Sequence, residues 1–248
     1  MKILFPFLIT LIAGLSTILG CFAIYVKPKN IKSFISVSLS FSATVMILIS
    51  ITDLIPTSFF NILENIRVGK ALFFIVLSFI LGVFLINFVD KKIDKYKNKN
   101  DLYKVGLLSA IVLVCHNLPE GVATFLSSYS DITLGLNLAL AIACHNIPEG
   151  ICIAVPLYYS TKSKSRAVRA TLFSGLSEVI GALLAFLFLS KFVTDTMISF
   201  ILIGVSGIMI SLAINELYKE ARKYDSNKWF YLGIIFALIF IIFQHLFF

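Results

Sequence analysis

The chain has 248 residues, of which 59% are hydrophobic and 24 are Phe, and its mean hydropathy is +0.98. That is more apolar surface than a soluble core of this size can use, so a soluble globular protein is excluded and an all-α polytopic membrane protein is expected. The net charge of +8 does not point to nucleic acid, because the longest polar run, Asp90 to Lys104, is too short to be a basic domain or arm.

In chain order, eight apolar stretches lie near the length of about 20 residues that a spanning helix needs, at roughly 3–26, 33–56, 71–89, 105–127, 132–159, 169–190, 196–216 and 229–247. They read as one transmembrane domain over residues 1–248. At the start, Lys2, an apolar run and Ile18-Leu19-Gly20-Cys21 resemble a lipoprotein signal. The run continues to Val26, however, and then meets Lys27, Lys29 and Lys32, which suits a retained helix with its N-terminus outside.

Basic residues alternate sides. Seventeen of the 21 Lys and Arg follow the first, third, fifth and seventh spans, from Lys27 to Lys32, Lys91 to Lys104, Lys162 to Arg169 and Lys219 to Lys228. Only Lys2, Arg67, Lys70 and Lys191 fall elsewhere. Loops rich in Lys and Arg stay in the cytoplasm, so both termini are expected outside. The cysteines at 21, 115, 144 and 152 all fall within spans and suggest no disulfide framework.

The fourth and fifth spans carry a repeated phrase, Cys115-His116-Asn117-Leu118-Pro119-Glu120-Gly121 and Cys144-His145-Asn146-Ile147-Pro148-Glu149-Gly150. A charged side chain at the bilayer centre costs about 2.5–3.5 kcal/mol or more, and such residues usually face a pathway or a partner. On a helix, with His at zero, Glu lies at about 40° and Asn at about 100°, so each carboxylate stands between an imidazole and an amide and can bridge two cations. The turn around Ser128 to Asp131 is short, so the two spans are antiparallel neighbours and the phrases face each other about a pseudo-twofold axis in the membrane plane.

A binuclear arrangement follows. His116, Glu120, His145 and Glu149 would surround one cation, and Asn117, Glu120, Asn146 and Glu149 a second, with Glu178 of the sixth span added on the all-oxygen side. Imidazole with carboxylate and amide oxygen suits zinc, ferrous iron, cobalt or manganese. Cys115 and Cys144 lie on the flank of each histidine away from Glu and are read as packing residues. Pro119 and Pro148 each free the carbonyl four residues back, and Gly121 and Gly150 are expected to permit close helix packing.

With Ser174-Gly175-Leu176-Ser177-Glu178, these phrases resemble the ZIP (zinc/iron permease) family, and bacterial members in particular. The resemblance runs from Ile51-Thr52-Asp53-Leu54-Ile55-Pro56 to Asn215-Glu216-Leu217, and implies an eight-helix bundle in the bacterial inner membrane that takes zinc and other divalent cations into the cytoplasm. Carried over by motif position, it gives the same ligand sets as the helical geometry. Two departures stand out: Asp90 to Lys104 contains no His, and Thr52-Asp53 stands where relatives can show Met-Glu.

No prosthetic group is expected, only transported Zn2+, Fe2+, Mn2+ or Co2+. The expected partners are these cations and the lipid bilayer, with a homodimer as the assembly to test. Asp53, Asp90, Asn215 and Glu216, at the ends of spans, are candidate entrance and exit residues, whereas His245 reads as interfacial. An intramembrane zinc hydrolase is the rival reading, weakened by the lack of His-Glu-x-x-His. An exporter or a channel for another ion is a further alternative.

Overall fold

A computed structural model describes residues 3–94, 101–189, 194–225 and 227–247. Among these residues there are eight long apolar helices: α1 Leu4–Tyr25, α2 Ile31–Asn65, α3 Val68–Ile93, α4 Asp101–Ser130, α5 Ile132–Thr161, α6 Lys164–Phe188, α7 Asp195–Tyr224 and α8 Lys228–Leu246. The Lys95 to Lys99 part of the basic loop, Lys2 and Lys191 lie outside the described residues.

Several helices outrun the apolar stretches that signal them. α2 continues to Asn65 and α7 to Tyr224, because a charged residue ends the hydrocarbon-compatible segment without removing a backbone hydrogen bond. What starts and ends helices here is local chemistry. The side chain of Asn30 accepts from the amides of Lys32 and Ser33 at 3.0 and 3.2 Å, and that of Asp131 from Thr133 and Leu134 at 2.7 and 3.1 Å, each satisfying orphan donors of a first turn. Asp131 alone separates α4 from α5, which enforces the antiparallel pair. α5 ends at Lys162, whose φ of 56° is left-handed.

Several hydroxyls of α1, α2 and α6 return to their own helices, which makes them tolerable in lipid. Thr10 donates to the Pro6 carbonyl at 2.9 Å, Thr44 to Ser40 at 2.7 Å and Thr171 to Ala167 at 3.0 Å.

Packing divides the helices into two sets. α4 lies against α5 and α6, and α1 fills the groove beside α5 and α6. α2 pairs with α8, and α3 with α7. Ser42 of α2 ties the sets together by donating to the Pro148 carbonyl of α5 at 2.7 Å. Backbones in the first set approach closely: a methyl group at Gly121 would overlap the Glu178 carbonyl, and one at Gly150 would overlap that of Thr17. In α3, only 11% of the apolar window is buried inside the protein, so this helix stands at the periphery, packed on one side against α7.

Among the described residues, three helices contain π-helical turns, Ser50–Leu54 in α2, Ala185–Leu189 in α6 and Ala213–Tyr218 in α7. The first carries Asp53 and the last Asn215 and Glu216, and such widened turns recur at functional positions because they re-aim side chains.

Candidate metal centre

The seven residues singled out by the repeated phrase and by Glu178 are all at most 5% exposed. Continuous helix through Pro119 and Pro148 keeps each His, Asn and Glu on one face of α4 or α5. Antiparallel packing then turns the two faces toward each other, with the imidazole rings of His116 and His145 6.3 Å apart between centroids.

Nitrogen and carboxylate oxygen interleave between the rings. His116 Nε2 lies 3.2 Å from Glu120 Oε1 and 3.1 Å from Glu149 Oε1, and His145 Nε2 lies 3.2 Å from Glu120 Oε1. One imidazole nitrogen carries at most one hydrogen, so His116 Nε2 cannot satisfy both carboxylates. Ligand atoms from His116, His145 and Glu149 all lie within 4.8 Å of one another, a span that fits coordination of one cation.

The oxygen-rich side is built differently. Asn146 Nδ2 donates to the Ala13 carbonyl of α1 at 2.9 Å and to Glu178 Oε1 at 2.6 Å. Asn117 Nδ2 donates to the Ser174 carbonyl of α6 at 3.2 Å. Both amides are thereby fixed with their nitrogens on protein, and their Oδ1 atoms are buried without a hydrogen-bond partner, as are Glu120 Oε2, Glu149 Oε2 and Glu178 Oε2. Five buried acceptors without donors are costly unless a cation serves them.

Sequence reasoning missed α1 as a wall of this site. The signal was present in the small residues Ala13, Gly14, Thr17 and Gly20, spaced to let a backbone approach. Cys115 and Cys144 do face away from the cluster, but the expected packing is not what they do: Cys115 is exposed and Cys144 half-buried.

Near the face that carries the basic loops, Lys104 Nζ of α4 stands 2.6 Å from Asp90 Oδ1 of α3 and 3.6 Å from Glu216 Oε2 of α7. Asn215 Nδ2 donates to Ser211 Oγ at 3.0 Å. A 640 Å³ surface cavity is lined there by Ile214, Asn215, Glu216, Tyr218, Lys219 and Arg222. At the opposite face, Asp53 meets His245 at 3.0 Å, a pairing the sequence did not suggest.

A family model described as ZIP Zinc transporter matches residues 100–242, which covers α4 to α7 and most of α8. The chain belongs to the ZIP zinc transporter family. It is 38% identical over 252 aligned positions to the zinc transporter ZupT of Oceanobacillus iheyensis, covering 94% of each chain. It is 35% identical to that of Chlorobium chlorochromatii, covering 96% of this chain and 95% of the relative. With that of Clostridium perfringens it shares 34% identity over 96% of this chain and 94% of the relative. As a ZIP member with eight membrane-length helices, the chain is a multi-pass protein of the bacterial inner membrane, and a transporter rather than an enzyme.

Proposed function

We propose that this protein moves zinc, together with ferrous iron, manganese or cobalt, across the membrane into the cytoplasm through a binuclear site. His116, Glu120, His145 and Glu149 hold one cation, and Asn117, Glu120, Asn146, Glu149 and Glu178 hold the second. The observation that carries this reading is the set of unpartnered buried oxygens beside an imidazole–carboxylate cluster, on three helices of a membrane protein. Neutralising them takes positive charge, and nitrogen with oxygen donors suits borderline divalent metals.

Both glutamates are shared, so each cation lowers the cost of holding the other only while both carboxylates are ionised. The imidazole side favours zinc, whereas the oxygen side is less selective. The basic loops orient the protein with their face in the cytoplasm, so Asp53 stands at the entrance and Asp90, Asn215 and Glu216 at the exit. Relatives printed as zinc transporters support the choice of cargo.

The test is zinc influx into proteoliposomes under an imposed zinc gradient, with protein orientation determined. Wild-type protein should carry zinc inward and Glu120→Ala should carry none. Wild-type flux in a well-incorporated Glu120→Ala protein would end the shared-carboxylate reading.

A further inference from the structure

His245 is pinned at both nitrogens. Its Nδ1 lies 2.9 Å from the Ile241 carbonyl oxygen, which can only accept, so Nδ1 carries the hydrogen. Its Nε2 then faces Asp53 Oδ1 at 3.0 Å. In the neutral ring, Nε2 is a bare lone pair directed at a carboxylate. Two acceptors at that separation repel unless a cation stands between them.

A hydrogen bond from the remote ring nitrogen to a backbone carbonyl is also how metal-binding imidazoles are usually oriented. An imidazole nitrogen and a carboxylate oxygen that both bind a tetrahedral zinc stand about 3.3 Å apart, close to the separation found here. It is close, too, to the imidazole–carboxylate distances of 3.1 and 3.2 Å in the buried cluster. Asp53 also stands in the π-helical turn Ser50–Leu54 of α2, a widened turn of the kind frequent at functional sites.

We propose that Asp53 and His245 form a capture site for a borderline divalent cation such as zinc, at the face opposite the basic loops. Asp53 lies eleven residues beyond Ser42, whose hydroxyl reaches the Pro148 carbonyl, and is therefore roughly 16 Å along the helix axis from the level of the buried cluster. The side chains of His245 and Asp53 are 43% and 38% exposed, so water completes the coordination shell. Two protein ligands with exchangeable water bind weakly and release quickly, as a site that must hand its ion onward requires.

The site rests on the proposed zinc route for its purpose but not for its test. Full-length protein is treated with diethylpyrocarbonate at constant pH, with and without zinc chloride, and modification of His245 is followed by peptide mass spectrometry. Zinc should slow modification several-fold in the wild type and in Glu149→Ala, whose buried cluster is disabled, whereas magnesium should not. Asp53→Asn should lose the protection while eluting as a folded protein. Failure of zinc to protect wild-type His245 would overturn the proposal and leave the pair joined by a proton alone. In uptake assays, Asp53→Asn should raise KM for zinc several-fold, and a fall in Vmax at unchanged KM would refute a capture role. Protection of His245 in a protein that carries no zinc would defeat the proposed function and leave this site standing.

Discussion

Replacing Glu149 by Gln keeps the side-chain volume and removes one negative charge, and the structure predicts opposite effects on the empty and the metal-loaded protein. Glu149 is 1% exposed, neither carboxylate oxygen accepts a hydrogen bond, and its close contact with His116 Nε2 at 3.1 Å is shared with Glu120 at 3.2 Å. An ionised carboxylate held out of water costs several kcal/mol after relaxation, which one shared imidazole only partly offsets. Relieving an unsatisfied buried group is worth about 1–3 kcal/mol. For a chain of this size, each kcal/mol corresponds to about 2–4 °C in melting temperature, so metal-free Glu149→Gln should melt a few degrees above wild type. Zinc at one hundred times its Kd should stabilise wild type by about 2.7 kcal/mol, and that increment should vanish in the variant. Thermal unfolding of the purified full-length protein, with zinc and with chelator, reads both quantities. A variant that melts lower when empty and keeps the zinc-induced rise would refute the reasoning and make Glu149 a structural residue.

Exchanging His145 for Asn should weaken zinc's competition for uptake more than that of manganese or iron, because it removes one of only two imidazoles; equal losses for all three metals would exclude a division of labour between the sites. Ligating carboxylates and imidazoles must be deprotonated, so zinc affinity should weaken as pH falls and zinc binding should release protons. Calorimetry in buffers of different ionisation enthalpy counts those protons, and an observed enthalpy independent of buffer would contradict the prediction. Gly121→Val should destabilise by about 1–3 kcal/mol through overpacking against the Glu178 carbonyl and should reduce zinc-dependent stabilisation. A wild-type melting profile with and without zinc would show that this contact does not hold Glu178 in place.

Much of the site could be read before any coordinates, because it rests on local periodicity. His, Asn and Glu at fixed offsets share a helix face whatever the rest of the chain does, and a short polar break between α4 and α5 leaves them little choice but to meet. Glu178 could be placed because a carboxylate within an apolar span is rare. What stayed hidden depends on contacts distant in sequence or on single extra residues in a helical turn. Asp53 and His245 are 192 positions apart, and the π-helical turn that carries Asp53 leaves no mark in composition. Likewise, Asn146 could be identified as a ligand candidate, but not the Ala13 carbonyl that orients it, since backbone acceptors are the same in every residue. Lys104 read only as a topology charge, because its position between Asp90 and Glu216 follows from how α4 crosses α3 and α7.

The backbone contacts at Gly121 and Gly150 bear on how fast an ion can leave. With the Glu178 carbonyl of α6 seated against Gly121 of α4 and the Thr17 carbonyl of α1 against Gly150 of α5, backbone meets backbone on both sides of the cluster, and in the function proposed here an ion would be held among side chains carried by helices that cannot move closer. A site built on such close contacts would need little reorganisation to load, and would have no gradual route to unloading. On the proposed function, residence time is then set by when water reaches the site, and turnover should track the opening of that access rather than the strength of any single metal–ligand bond.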